Sequence, residues 1–189
     1  INNRGPIDTA AHLFKYDSVH GRFPFDVKVV DGKLDLGTGP VVFTRHLHPS
    51  DCNWGELGID IVMECSGKFT DRDDAALHLD SGAKRVLVSA PSKGADRTIV
   101  FGVNDAMLKP EDMVISSASC TTNCLAPVVK VLLEGIGIKH GSITTIHDVT
   151  NTQTIVDRPA KDLRRARSAL TNLIPTTTGS RSEEHTSEL

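Results

Sequence analysis

Several features that would assign the chain to a specialised class are missing from its 189 residues. No apolar run approaches the ~20 residues that a membrane-spanning helix needs, and no signal-peptide pattern is present. The formal net charge of −3 gives no reason to expect nucleic acid or an anionic membrane as a partner. The four cysteines form no CxxC pair and no small disulfide scaffold, so we expect free thiols in a reducing, cytoplasmic setting.

The glycine-rich fingerprint GxGxxG of dinucleotide-binding domains is also absent. The glycine pairs at residues 37–39 and 135–137 lie in the wrong context for binding phosphate. The chain starts at Ile1 without a methionine, and its last nine residues, RSEEHTSEL, match the translation of a sequencing adapter. We therefore expect a chain that is cut at both ends, with residues 181–189 as an artefact and not a natural terminus.

The patterns that are present predict alternating strands and helices. Residues 26–45 alternate apolar and polar types around Asp31-Gly32, which predicts a hairpin with a tight turn. Residues 71–81 predict a helix that Gly82 ends. Nearly continuous apolar runs predict buried strands at residues 59–65, 85–90, 98–103 and 113–117. Buried strands separated by helices or long connections are typical of an α/β fold with a mostly parallel sheet.

The second half of the chain predicts one more helix and one more strand. Residues 125–133 are apolar on nearly all sides, which predicts an internally packed helix, and residues 142–149 predict a strand. The segment 157–167 is basic and predicts a solvated loop or helix face on composition alone. The same segment also has a more specific interpretation, as a basic loop that contacts phosphate-bearing ligands or a neighbouring subunit.

Cys120 is the residue to which the chemistry of the sequence first points. It lies between a predicted strand and a predicted helix, near the start of the helix, where the helix dipole and free N–H groups lower a thiol pKa. His147, at the end of the next predicted strand, is a candidate base. A lone cysteine is more often a buried core residue. However, the polar neighbours Ser119 and 121–123 would then need buried partners, which argues against a core position.

The sequence SASCTTNCLAP at residues 117–127 resembles the signature of phosphorylating glyceraldehyde-3-phosphate dehydrogenases. The resemblance covers nearly all of residues 1–180. It implies a partial Rossmann-type parallel sheet, with the first β-α unit missing, followed by the start of an α+β catalytic domain. Further similar stretches follow one another in order, namely YDSVHG (16–21), ECSGKF (64–69), GAKRV (82–86), SAP (89–91), TTIH (144–147), TNTQ (150–153) and IPTTTG (174–179).

This resemblance implies two domains and a covalent mechanism. Residues 1–119 would be a partial NAD(P)-binding domain, and residues 120–180 the first part of the catalytic domain. Cys120 would attack glyceraldehyde 3-phosphate, His147 would take the thiol proton, and a thioester would be cleaved to an acyl phosphate. The attacking phosphate would be bound by Ser119, Thr121, Thr178 and Gly179. The phosphate of the substrate would be bound by Thr150 and Thr152. The cofactor would be bound by Ser66, Gly67, Phe69, Ser89 and Ala90. No metal is implied.

Departures from the common family pattern leave the cofactor and the acceptor open. Asn3 or Asn2 stands where an acidic residue usually binds the adenosine ribose, so NADP stays open beside NAD. Thr154 and the DLRRAR run at 162–167 are similar to a bacterial branch found with arsenate-resistance genes, in which arsenate would replace phosphate to give an arseno-acyl product. The family also implies a homotetramer, with residues 164–167 near a subunit interface.

Three other interpretations stay open at the level of sequence. Erythrose-4-phosphate dehydrogenase shares the cysteine–histidine pair and the fold. A cysteine–histidine hydrolase would use the same pair, but would explain neither the threonines of the anion sites nor the cofactor matches. The third interpretation is an inactive fragment, because the chain lacks the pyrophosphate-binding loop.

Overall fold

The structure is a computed structural model that describes residues 1–176, and it begins with small elements. Helix α1 (Ile7–Lys15) is followed by a two-stranded antiparallel pair, β1 (Tyr16–Asp17) and β2 (Gly21–Arg22). A three-stranded antiparallel sheet contains β3 (Lys28–Val30), β4 (Lys33–Asp35) and β5 (Pro40–Val41).

The predicted hairpin at Asp31-Gly32 is confirmed. The turn between β3 and β4 contains only these two residues, with φ of 49° and 70°. Positive φ at both central positions is the geometry of a type I′ turn, whose twist matches that of the flanking strands.

A parallel sheet of four strands forms the centre of the structure and confirms the predicted α/β class. Its strands are β6 (Ile61–Glu64), β7 (Arg85–Val88), β8 (Arg97–Thr98) and β9 (Val114–Ser116), in the order β6-β7-β9-β8. The strand predicted at 98–103 is mostly wrong. The ladder ends near Ile99, whose N–H still bonds to β9, while the Val100 N–H donates to the Asn104 side chain at 2.8 Å and the chain turns away.

Helix α2 (Arg72–Asp80) packs on this sheet and confirms the predicted helix. Its fully buried Ala75 contacts Val86 and Val88 of β7 and Val114 of β9 in one apolar cluster. Asp71 occupies the N-cap position of the helix, and Gly82 lies just beyond the helix end with φ of 97°, a conformation that strongly favours glycine. On β6 the side chains alternate, so Ile61 and Met63 are exposed while Val62 and Glu64 are buried.

Helix α3 (Cys120–Gly135) is longer than predicted, because it begins at Cys120 itself. Its buried Ala126 packs against Val100 and Ala118, which forms a second apolar cluster. The prediction of internal packing on all sides is wrong for the described chain. The opposite face carries exposed apolar side chains, namely Val128, Val131 and Leu132.

The strand predicted at 142–149 is also wrong, because the structure assigns no regular element to these residues. They lie exposed, and a strand requires a partner whose backbone accepts its hydrogen bonds. Three short 3₁₀ turns complete the described elements, at Pro49–Asp51, Asp105–Met107 and Leu163–Ala166. Within residues 1–176, no helix has the length and apolar character required to traverse a bilayer.

Replacing Gly82 by alanine is expected to destabilise the fold more than the same change at Gly102. Both glycines have positive φ, which costs alanine about 1–2 kcal/mol. Only at position 82 would the new Cβ lie 2.6 Å from the Gly55 nitrogen, since position 102 faces open space. Gly82→Ala should therefore lose a further ~1–3 kcal/mol of unfolding free energy in urea titrations. Equal losses in the two variants would contradict the close packing of Gly82 on Gly55.

Candidate active site

The connection between β9 and α3 is a tight turn at residues 117–119. Ala118 at its centre has φ of 60°, which is rare for a residue other than glycine. The Ala118 N–H donates to Ser116 Oγ at 3.1 Å. Asn123, one turn into the helix, donates to the carbonyls of Ser117 and Ser119 at 2.7 and 2.8 Å. These hydrogen bonds hold the backbone in its uncommon conformation and determine where the helix begins.

Cys120 is the first residue of α3, whereas the sequence predicts only that it lies near the start of a helix. Ser119 is the N-cap, and its hydroxyl oxygen accepts from the Thr122 N–H at 3.1 Å. The thiol is exposed, and Cys120 Sγ lies 3.3 Å from Nε2 of His147. The structure therefore brings together the two residues predicted to be catalytic, although the segment that carries His147 is not a strand.

Hydrogen bonding assigns the proton positions on His147. Its Nδ1 lies 2.7 Å from the Asp148 carbonyl oxygen, which can only accept, so Nδ1 carries a hydrogen. In the neutral ring, Nε2 then carries a lone pair that is directed at the Cys120 thiol and can receive the thiol proton. In the charged ring, both nitrogens donate, one to Asp148 and one to the thiolate.

The pKa values of this pair move in opposite directions, which favours the ion pair. The hydrogen bond from His147, its charge, and weaker hydrogen bonds from Thr121 lower the pKa of Cys120 below the usual thiol value, although burial opposes this. The hydrogen bond to the Asp148 carbonyl, followed by the one to Cys120, raises the pKa of His147. A thiolate–imidazolium pair is the form of cysteine that acts as a nucleophile near neutral pH.

The predicted cofactor residues lie in loops that follow β6 and β7, at the sheet edge where β9 leads to Cys120. Ser66 and Gly67 follow β6, and Ser89 and Ala90 follow β7. Phe69 is half-buried, with its ring edge-on to that of His48 at 5.7 Å.

Hydrogen bonds between neighbouring strands hold these loops together. The Ser89 N–H donates to the Glu64 carbonyl at 3.0 Å, and Ser116 Oγ donates to the Ala90 carbonyl at 2.9 Å. The Ser117 hydroxyl donates to the Val88 carbonyl at 3.0 Å. In open parallel sheets the carboxyl edge of the strands is where ligands bind.

Asn3, the predicted ribose-contacting residue, is held by local contacts. Its Oδ1 accepts from the Gly5 N–H at 2.8 Å, and within residues 1–176 it makes no hydrogen bond to the loops after β6 and β7. The alternative residue, Asn2, is occupied by hydrogen bonds to Thr44 and His46. Thr178 and Gly179, predicted to bind the attacking phosphate, and the tail at 181–189 lie outside the described residues.

The two threonines predicted to bind the substrate phosphate are neighbours. Thr150 Oγ1 and Thr152 Oγ1 lie 2.9 Å apart, and Thr150 also bonds to Gln153. Nη1 of Arg165 lies 3.3 Å from Thr152 Oγ1, so a guanidinium group accompanies the threonines. This contact fits the interpretation of the segment 157–167 as a basic loop that contacts phosphate-bearing ligands. Two of its other arginines instead form ion pairs within the segment, Arg164 with Asp162 and Arg167 with Asp157.

From the sequence, Asn123 was noted only as one of the polar neighbours of Cys120, and Glu64 was given no role. Asn123 holds the turn before Cys120, and Glu64 accepts a hydrogen bond from the Ser66 N–H in the loop after β6. A signal for Asn123 exists in the sequence, because an amide three residues after a helix start can reach the preceding carbonyls. Within the described part of the chain, no group of three or more His, Cys, Asp or Glu side chains could hold a metal ion.

Comparison with known proteins identifies similar sequences along both halves of the chain. Residues 1–72 match the family model described as glyceraldehyde 3-phosphate dehydrogenase, NAD binding domain, and residues 119–185 match the model for its C-terminal domain. Proteins named glyceraldehyde-3-phosphate dehydrogenase are 56% identical in Xanthobacter flavus, 52% in Geobacillus stearothermophilus and 50% in Thermotoga maritima. These matches cover 95% of the chain and 53–54% of each relative, so the chain spans about half the length of the relatives.

Replacing His147 by alanine is expected to raise the pKa of Cys120 and slow its alkylation several-fold at neutral pH, because the thiolate loses its hydrogen-bond donor. Iodoacetamide labelling over a pH series, with peptide mapping to separate Cys120 from the other thiols, measures this. His140→Ala changes another exposed histidine and is the control. Identical pH profiles for the two variants would refute the thiolate–imidazolium pair.

Replacing Asn123 by alanine is expected to loosen the turn before the helix, because two backbone carbonyls lose their donor. The expected cost is about 1 kcal/mol of unfolding free energy, with slower labelling of Cys120. Asn172→Ala removes a similar amide, which donates to the carbonyl four residues earlier at 2.9 Å, and is the matched control. If both variants label Cys120 at the original rate, Asn123 does not position the thiol.

Proposed function

Because the chain belongs to the glyceraldehyde 3-phosphate dehydrogenase family, we propose that the whole protein is an NAD-dependent oxidoreductase that oxidises glyceraldehyde 3-phosphate to an acyl phosphate. The observation that carries the proposal is the 3.3 Å contact between Cys120 Sγ and His147 Nε2 at the start of a helix. The oxidation proceeds through a thioester on Cys120, so that one difficult step becomes two easier ones.

The residues at the carboxyl edge of the sheet fit a dinucleotide. Ser66, Gly67 and Ser89 are exposed there, and at Gly67, with φ of 69°, no atom lies within 4 Å of where a Cβ would be. These residues, with Phe69 and Ala90, would hold NAD, and Asn3 would contact its ribose. When bound, NAD supplies the hydride acceptor for the reaction.

The chain's own residues perform the covalent steps. The Cys120 thiolate attacks the aldehyde carbon and forms a C–S bond, while the carbonyl oxygen becomes an oxyanion that the His147 imidazolium protonates or stabilises. His147 takes that proton back as the C–H bond breaks, and the hydride would pass to the bound NAD, which leaves a thioester. An oxygen of inorganic phosphate then attacks the thioester carbon, and the C–S bond breaks to release the acyl phosphate and the Cys120 thiolate.

Two anion sites follow from the same proposal. Ser119 and Thr121, at the start of α3, lie where helix N–H groups attract an anion, and with Thr178 and Gly179 would hold the attacking phosphate. Thr150 and Thr152, with the guanidinium of Arg165 beside them, would hold the phosphate of the substrate.

The domain division, the oligomer and the acceptor complete the proposal. We place the end of the cofactor domain at residue 119 and the start of the catalytic domain at Cys120. We propose a homotetramer for the whole protein, while a cytoplasmic location stays a prediction. Phosphate is the proposed acceptor, and arsenate is the alternative, because it has the same charge and shape and would occupy the same threonines.

The test uses a completed protein, in which the portions of the Xanthobacter flavus relative that the chain does not match are joined to it. We expect this protein to form NADH from NAD, glyceraldehyde 3-phosphate and phosphate. Cys120→Ser should lower the rate by about 10³-fold or more, because the nucleophile is removed. Cys124→Ser, which removes another exposed thiol one helical turn later, is the matched control and should retain activity.

Competing functions give different results in the same assay. Higher kcat/KM with erythrose 4-phosphate would replace the proposed substrate, and faster turnover with arsenate at equal concentration would replace the proposed acceptor. Ester hydrolysis without NAD reduction would support a hydrolase and refute the dehydrogenase. The 189-residue chain alone is expected to give no NAD-linked turnover.

A further inference from the structure

Three buried side chains form a continuous hydrogen-bonded relay beneath the loop that follows β6. Trp54, His78 and Glu64 are 7%, 4% and 6% exposed. Trp54 Nε1 lies 2.9 Å from His78 Nδ1, and His78 Nε2 lies 2.9 Å from Glu64 Oε2. The other carboxylate oxygen, Oε1, accepts from the Ser66 N–H at 2.7 Å. We call these three residues the Trp54–Glu64 relay.

Only one arrangement of protons satisfies this relay. An indole nitrogen can only donate, so His78 Nδ1 must accept and His78 carries its hydrogen on Nε2. That hydrogen is donated to Glu64, which therefore accepts from two donors, His78 and Ser66, as an ionised carboxylate. Although burial opposes it, these hydrogen bonds from His78 and Ser66 lower the pKa of Glu64.

Glu64 also connects the two loops at the cofactor edge of the sheet. Its side chain holds the Ser66 N–H, and its backbone carbonyl accepts from the Ser89 N–H at 3.0 Å. The Ser66 hydroxyl then accepts from the Lys68 N–H at 3.1 Å, which closes the turn around Gly67. The conformation of the loop after β6 thus depends on one buried carboxylate.

We propose that Glu64 is a positioning residue for the nicotinamide dinucleotide, fixed in place by His78 and Trp54, and that it acts by holding the Ser66-Gly67 loop in its binding conformation. The proposal rests on the assignment of this loop to the cofactor in the proposed function. Burying an ionised carboxylate is unfavourable unless it is fully hydrogen-bonded, and an apolar side chain there would serve stability at least as well. The relay connects to Ser66 and not to Cys120, so its effect should appear in cofactor binding.

The first measurement is backbone amide exchange at Ser66 in the 189-residue chain. Glu64→Gln keeps the shape but leaves one acceptor oxygen for two donors, so either Ser66 or His78 loses its partner. We expect faster exchange of the Ser66 amide or of the indole N–H of Trp54, which is the only tryptophan and gives one resonance. Glu111→Gln changes an exposed carboxylate outside the relay and should alter neither. Unchanged exchange in Glu64→Gln would overturn the proposal.

The second measurement separates positioning from stability in the completed protein. With Glu64→Gln, we expect KM for NAD to rise about tenfold, as loss of one hydrogen bond to a buried charge implies, with kcat within about twofold. Trp54→Phe removes the indole donor together with part of the ring volume and leaves Glu64 in place, so it should raise KM less. It tests the relay if Glu64→Gln does not fold. A fall in kcat with KM unchanged, in either variant, would overturn the positioning role. If the completed protein without these substitutions gives no NAD-linked turnover, the proposed function itself fails, and the cofactor role of Glu64 fails with it.

Discussion

The backbone conformation of Ala118 is the constraint on which the arrangement around Cys120 depends. A buried strand must end, reverse and become a helix within three residues, and this requires one residue in the left-handed region. Ser116 and Asn123 hydrogen-bond to the turn from its two sides and oppose the strain. Because the turn is fixed at both ends, Cys120 is held at the helix start while its thiol faces solvent. The position of Cys120 is therefore set by the backbone, and His147 then contacts its thiol.

A half-buried ion pair beside the sheet, between Asp96 and Arg72, makes a second contribution of the same kind. Asp96 accepts from the N–H groups of Met113 and Val114, both at 2.9 Å, and pairs with Arg72 at the start of α2. Although burial opposes it, these contacts lower the pKa of Asp96. They join the start of β9 to α2. The strand that leads to Cys120 is thus anchored at its beginning by a carboxylate and at its end by a turn.

The sequence could predict the elements whose interactions are local. The hairpin at Asp31-Gly32 and helix α2 depend on turn residues and on the glycine that ends the helix, which are readable from neighbouring residues. For α3 the sequence predicts that Cys120 lies near the helix start, but not that the helix begins there. The strand predicted at 142–149 is absent, because apolar alternation does not show whether a partner strand is available. The relay from Trp54 through His78 to Glu64 was missed for a related reason. Its members are 10–24 residues apart, and only the packing of α2 on the sheet brings them together.

The exposed apolar face of α3 has a consequence for the life of the chain in a cell. Val128, Val131 and Leu132 are 44–68% exposed on one side of the helix, and Met63 on the sheet is 66% exposed. Exposed apolar side chains of this kind are what holdase chaperones capture and what drives chains to associate. The abundance of the chain would then follow the rates of capture and degradation, and the free energy of folding alone would not determine it.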